Sequence, residues 1–324
     1  MGGWSAADIP DQRGRRVVVT GANSGIGLAT ALELARAGAA VTLACRDAER
    51  GGRARARIGA EVAGAEVAVG ALDLADLGSV RAFAETQQAP LDALVNNAGV
   101  MATPPRWTAD GFELQLASNH LGHFALTGLL LDRLLAAARE PRVVTVTSVA
   151  HRFGRIDFDD LQRERAYHPW TAYAQAKLAN LLFAYELQRR ADAAHQQLLS
   201  LAAHPGYTAT RLLTSGPALA GPNLQSRVMG LVSPVLGQSA AMGALPTLYA
   251  VTVPELPGGS YVGPSGPLEL RGHPHLVSSS AASKDPGTAR RLWEASEELT
   301  GVRFAFDDYP RRPGPWPTTR VTSS

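Results

Sequence analysis

The stretch "VVVTGANSGIGLATAL", residues 17–32, decides how this chain folds. Its opening valines are β-branched and apolar without alternation, which suits a strand buried on both faces. From Gly25 onward apolar residues recur at helical spacing, and Gly38 after "GLATALELARA" is a stop signal. Between strand and helix, Gly21, Gly25 and Gly27 give the spacing GxxxGxG. A chain leaving a strand here must turn sharply, bring its backbone close to a diphosphate and begin a helix packed on the sheet. Glycine permits each step because it has no Cβ. The helix N-terminus then offers unpaired N–H groups and a partial positive charge to an anion. A predicted strand before the glycines and a predicted helix after them are the context that makes this a dinucleotide-binding turn.

Outward from that turn, short β-branched runs alternate with helical patterns. The predicted strands are 16–20, 40–45, 66–72, 92–97, 142–147, 198–204 and 259–263. Such alternation indicates an α/β fold, a parallel sheet with helices on both faces. Three segments break the rhythm: a polar insert at 151–170, a Gly-, Pro- and Leu-rich stretch at 211–245, and a Pro-rich tail at 307–324. No linker divides the remainder. Residues 1–306 therefore read as one domain with a substrate lid at about 211–245, followed by the tail.

The chain has 324 residues, 45% apolar and 19% charged, with a formal net charge of +2. Its basic residues are dispersed, which argues against a nucleic-acid partner. Cys45 is the single cysteine, so no intrachain disulfide can form. No run reaches the roughly 20 apolar residues of a membrane span, and "FALTGLLLDRLLAAA" (124–138) reads as a buried helix. The expectation is a cytoplasmic protein without a membrane span. The eight histidines form no HExxH or carboxylate cluster, so no metal is expected. There is no GxSxG elbow of a serine hydrolase.

The second strand ends "LACRDAERG", with Cys45 where an acid for a free ribose 2′-hydroxyl would stand. Arg46 follows, and a guanidinium there would attract a 2′-phosphate. NADP(H) is therefore favoured, with Ser24 as a second donor. The alternative is a solvated Arg46 with Asp47 on the ribose, which would give NAD(H).

In "TAYAQAKLAN" (171–180), Tyr173 and Lys177 stand four apart in a helix-favouring segment and so share a face. Taken with the glycine turn, this pair makes the chain resemble the short-chain dehydrogenase/reductase family, in particular its retinol-dehydrogenase-like group. The resemblance runs from residue 14 to about 265 through "TGANSGIG" (20–27), "NNAG" (96–99), "SNHLGHF" (118–124), "TSVAH" (147–151), "YAQAK" (173–177) and "HPGYTAT" (204–210). It implies a Rossmann-type, doubly wound parallel sheet of seven strands with NAD(P)(H) across their carboxyl ends. It also implies a catalytic tetrad of Asn119, Ser148, Tyr173 and Lys177.

Tyr173 would be the general acid/base, its pKa near 10 lowered by the Lys177 ammonium. Ser148 would hydrogen-bond the substrate oxygen. In the family the lysine also holds the nicotinamide ribose, and the asparagine anchors a water. Expected cofactor contacts are Gly21, Asn23, Ser24, Gly25, Ile26 and Gly27 in the turn, with Arg46, Asp73 and Leu74 beyond it. Asn97, Ala98 and Gly99 would line the adenosine ribose. Tyr173 and Lys177 belong to the cofactor set too, and Pro205, Gly206, Thr208 and Thr210 would meet the carboxamide. Asp73 has a plainer alternative as a turn cap.

The expected activity is hydride transfer between the nicotinamide and a small-molecule carbonyl or alcohol. Leu212, Leu213, Leu219, Leu231 and Val232 suggest a bulky apolar one. A non-catalytic nucleotide sensor that retains the fold is the second hypothesis. Many family members form homodimers or homotetramers, so either is an expected partner state.

Overall fold

The computed structural model describes residues 3–208 and 238–306. Strand β1 is Arg16–Thr20, exposed only at Arg16. Val17 and Val19 enter one core and Val18 the other, as the two-residue period of a strand requires. Then come α1 (Gly25–Arg36), β2 (Ala40–Cys45), α2 (Ala48–Glu61), β3 (Val67–Ala71), α3 (Leu77–Thr86) and β4 (Ala93–Asn96). A helical stretch follows: α4 (Leu114–Leu116), a π-turn at Ala117–Leu121, α5 (Gly122–Leu129) and α6 (Leu131–Leu135). The second half holds β5 (Arg142–Val146), a 3-10 turn at Val149–Phe153, α7 (Pro169–Ala193), β6 (Leu199–Ala203), the helix Ala240–Thr252, β7 (Tyr261–Pro264), β8 (Pro274–Leu276) and the helix Pro286–Thr300.

The sheet order is β3-β2-β1-β4-β5-β6-β7-β8. Strands β1 to β7 pair in parallel, as a Rossmann-type fold requires. The chain reverses its direction of travel between β1 and β4, so a crevice opens there at the carboxyl ends. Seven strands were expected; the sheet has an eighth, β8, antiparallel to β7 at the edge. Its three residues start at a proline and include no β-branched residue, so no strand pattern marks them. A proline at the first position of an edge strand breaks no ladder bond.

One core joins the sheet to α1 and the helix Ala240–Thr252 through Leu34, Leu248 and Val251. The other joins it to α3, α5, α7 and the helix Pro286–Thr300. There Trp293 stacks with Phe183 at 5.8 Å and meets Phe124 and Phe304 at 5.0 and 4.5 Å between ring centroids. Burying each such ring contributes roughly 1.5–3 kcal/mol, which fastens the helix Pro286–Thr300 to α7. Residues 240–245 of the expected lid are the start of the helix packed on α1. Residues 211–237, with the five apolar positions named above, lie outside the described residues, as does the 307–324 tail. Among the described residues no helix is long and apolar enough to cross a membrane.

Candidate active site

The glycine turn closes the crevice by close backbone contact. Gly21 and Gly25 have φ of 65° and 57°, which side-chain-bearing residues rarely adopt. A Cβ on Gly27 would stand 2.5 Å from Asn97 Nδ2 and 2.6 Å from the Gly21 oxygen. One on Gly21 would stand 2.9 Å from the Ala98 Cα. The turn is thus pressed against the Asn97–Gly99 loop, and Asn97 Nδ2 donates to the Thr20 oxygen at 2.7 Å. Ser24 precedes α1, is exposed and makes no capping bond, so the helix start faces solvent. Beside it lies a cleft of about 350 Å³ lined by Asn23, Ser24 and Leu28 together with Arg50, Ala54, Arg53 and Arg57 of α2. These three arginines went unnoticed in the sequence; their i, i+3, i+7 spacing was the available signal. Ile26 is half-buried at the start of α1. An anionic dinucleotide fits this cradle: the missing Cβ atoms let the turn close on the Asn97–Gly99 loop, the start of α1 is open, and the arginines, each paired with an exposed carboxylate, add charge.

At the end of β2, Arg46 is 76% exposed and stands 3.8 Å from Asp73 Oδ2. Such an exposed pair is weak and easily exchanged for another anion. Asp47 is already engaged as the N-cap of α2, accepting from the Arg50 amide at 2.9 Å. Asp73 uses its other oxygen to accept from the Ala75 amide at 3.0 Å, so turn-capping and a free-facing oxygen coexist. Leu74 is buried beneath it.

The tetrad residues converge at the carboxyl ends of β4 and β5. Helix α7 starts at Pro169, where the absent N–H leaves nothing unpaired. Lys177 Nζ donates to the Val146 oxygen at 3.2 Å and lies 5.8 Å from the Tyr173 ring centre. A Cβ on Gly99 would come 2.5 Å from Asn119 Oδ1 and 3.6 Å from Lys177 Nζ, so that glycine lets three elements meet. Asn119 clamps Val100, donating to its oxygen at 2.9 Å and accepting from its amide at 2.8 Å. Ser148 caps the 3-10 turn by accepting from the Ala150 amide at 3.2 Å, which leaves its own proton to donate.

The expected acidification of Tyr173 by Lys177 is not found in the structure. Burial pushes the phenol up to about 12, with a hydrogen bond to Ser148 opposing it in part. Burial also pulls Lys177 down to about 8. Both groups are only 4% exposed, and an interior poor in water disfavours both charged forms more than they stabilise each other. The phenol is therefore held as a proton donor.

Sequence reasoning missed a chain of polar groups beneath this site. The amides of Asn97 and Ala98 both donate to Thr20 Oγ1 at 2.9 Å. Thr20 Oγ1 lies 2.9 Å from His123 Nε2, and His123 Nδ1 lies 3.0 Å from the Asn119 oxygen. A carbonyl can only accept, so Nδ1 carries the proton and Nε2 accepts from the threonine. Burial holds His123 at about 4, hence neutral near pH 7. Asn119 and His123 come into line because residues 117–121 form a π-turn, a local widening common at functional sites. His120 instead faces Ser296 Oγ at 2.9 Å, away from His123's partners. Among the described residues no group of three or more His, Cys, Asp or Glu side chains could hold a metal.

On the other side of Tyr173, Gly206 has φ of 66° and the Tyr207 amide donates to the Leu270 oxygen at 2.7 Å. Thr208 Oγ1 donates to the Pro205 oxygen at 3.0 Å. Thr210 lies outside the described residues. Met101, Ala102, Ala150, Trp170 and Tyr207 pack around Tyr173 as an apolar wall. Trp170 meets the Tyr173 ring edge-on at 6.2 Å. The 151–170 insert thus contributes Trp170 to the site, while Ile156, Phe158 and Leu161 pack away from it against Leu178 and Leu182.

Comparison with known proteins agrees with this geometry. A family model described as short chain dehydrogenase matches residues 15–218. Human retinol dehydrogenase 13 is 41% identical over 304 residues, covering 92% of this chain and 87% of that protein. Mouse polyprenol dehydrogenase is 42% identical over 303 residues, covering 91% and 86%. The crystal structure of an uncharacterized protein from Mycobacterium paratuberculosis has a TM-score of 0.77 and 48% identity, covering 93% of this chain and 99% of its own.

Proposed function

This chain belongs to the short-chain dehydrogenase family, and on that premise we propose that it is an NADP(H)-dependent oxidoreductase acting on a bulky apolar carbonyl or alcohol. The observation that carries the reading is a buried Tyr173 beside Ser148, walled by apolar side chains and adjoining the glycine turn. When bound, the nicotinamide supplies or takes up the hydride. The chain's residues do the rest. Ser148 donates a hydrogen bond to the substrate oxygen and holds it beside Tyr173. Tyr173 gives its proton to that oxygen as negative charge develops there, and takes one back in oxidation. Lys177, anchored to the Val146 oxygen, holds the ribose and places positive charge beneath the phenol as it ionises. Asn119 keeps the Val100 backbone in line, and His123 keeps Asn119 in line.

Preference for the phosphorylated cofactor is supported by Arg46, loosely paired and exposed. The three arginines along the cleft are each paired, Arg50 with Asp47, Arg53 with Glu49 and Arg57 with Glu61, and contribute only by exchanging those exposed partners. The carboxylate that would favour the other cofactor, Asp47, is committed to capping α2. The apolar wall supports a hydrophobic substrate, as does the similarity to retinol and polyprenol dehydrogenases. The deciding experiment mixes the protein with NADPH or NADH and a panel of aldehydes and ketones, from sugars to polyenes. Oxidation of NADPH by long apolar carbonyls is the expected result. Faster turnover of a small sugar would count against the apolar pocket, and faster use of NADH against the cofactor assignment.

A further inference from the structure

The helical turn Pro267–Glu269 contains two consecutive non-glycine residues, Leu268 and Glu269, with φ of 54° and 56°. Such a backbone persists only where its surroundings over-determine it, and it often marks a functional constraint. Leu268 contributes nothing to the core, being 83% exposed. The turn's effect is to aim Glu269 inward. One carboxylate oxygen accepts from Arg152 at 2.9 Å, and the other lies 3.0 Å from His204 Nε2.

These two partners belong to the two turns that flank the reacting phenol. Arg152 sits in the 3-10 turn that Ser148 begins, and it also donates to the Ser278 oxygen at 2.8 Å. His204 directly precedes Pro205 and Gly206. The Gly206 amide donates to His204 Nδ1 at 3.3 Å, which assigns the ring proton to Nε2, on the side of Glu269. Burial holds His204 below the usual imidazole range, so a neutral ring lies against the carboxylate at contact distance, without an aligned hydrogen bond between the two atoms. Gly263 makes the arrangement possible, since a Cβ there would come 2.1 Å from His204 Nε2. Next door, the Leu270 oxygen takes the Tyr207 amide at 2.7 Å.

We propose that Glu269 is a positioning residue whose carboxylate holds the Ser148 turn and the Pro205–Gly206 turn in fixed relation. The inference rests on the reading that these turns face the reacting carbonyl and the nicotinamide. Its test uses the full chain with Glu269→Ala and Glu269→Gln, the second keeping one acceptor oxygen where the carboxylate has two. Amide hydrogen exchange needs no activity. In Glu269→Ala the amides at 149–154 and at 206–207 should exchange faster together, by about tenfold, because one shared restraint is gone. Turnover with NADPH and an apolar aldehyde should fall roughly ten- to hundredfold, as misplacement of reacting groups produces. The dissociation constant for NADPH should move by no more than about threefold, since the adenosine end is untouched. Glu269→Gln, able to accept from one partner only, should restore slow exchange at one turn and recover part of the turnover. In Glu269→Ala, faster exchange at one turn alone, or at neither, overturns the proposal; so does a glutamine variant as impaired at both turns as the alanine one. If the parent protein oxidises no NADPH with any carbonyl, the functional reading fails, while the exchange result still decides the role of Glu269.

Discussion

The two ends of the crevice are built by opposite means. The end at the glycine turn is made of missing atoms and exposed charge: glycines that let backbones touch, and arginines paired with carboxylates at the surface. The reaction end is made of buried polar groups held against the preference of each for water. An exposed, glycine-lined cradle needs only local geometry to bind an anion. A dry proton-transfer site needs partners drawn from distant parts of the chain. The first arrangement tolerates changes of pH, and the second does not.

Acid should break this contrast most strongly. Burial holds His123 and His151 at about 4 and His120 at about 3, against an ordinary 6.5. The unfolded chain therefore takes up protons that the folded one refuses. Stability is fully present above pH 6.5 and is lost as pH falls toward 4. At about 1.4 kcal/mol per pH unit, His123 and His151 account for up to about 3 kcal/mol each. Urea unfolding from pH 7 to 4.5 should show the midpoint falling steeply, with exchange rising at residues 117–123 and 148–154 before residues 21–27. Simultaneous loosening at both ends would erase the distinction.

Next in size is Tyr173→Phe. Removing the proton donor should lower turnover by about 10²–10⁴-fold while tryptophan-fluorescence titration shows NADPH still bound. Turnover at the parent rate would refute the acid–base role. Gly27→Ala attacks the other end. Its Cβ would stand 2.5 Å from Asn97 Nδ2 and 2.6 Å from the Gly21 oxygen, so backbone must move. A loss of about 1–3 kcal/mol in stability is expected from such overpacking, together with weakened binding of both cofactors. Calorimetry of the free protein and cofactor titration check each part. The smallest effect belongs to Arg46→Ala. Losing one charge-assisted contact should raise the KM for NADPH about tenfold, some 1.4 kcal/mol, and leave that for NADH unchanged.

That ordering bears on what could be read from the chain beforehand. The glycine turn was legible because its logic is local: a strand, three glycines and a helix within 16 consecutive residues. The parallel strands were legible because burial on both faces demands uninterrupted apolar runs. The Tyr173–Lys177 spacing followed from one helical turn. The direction of the Tyr173 shift did not follow, because it depends on how much protein surrounds the phenol, which no four-residue spacing contains. The Thr20–His123 contact spans 103 positions and the Arg152–Glu269 bond spans 117. Single polar residues so far apart leave no periodic trace. Strand β8 escaped for a related reason, since it is defined by its neighbour β7 rather than by its own composition.

Helix α7 extends over 25 residues, and 17 of them are buried, among them Ala172, Ala174, Ala176, Ala179, Ala184 and Ala191. Small residues let neighbours close on it: a Cβ on Gly154 would stand 2.4 Å from the Ala174 backbone oxygen. Anyone wishing to retrain the protein toward a different molecule would find that rod closed to redesign. The freedom lies at its mouth, in Trp170, Met101 and Tyr207, where shape can change without disturbing the axle on which both halves turn.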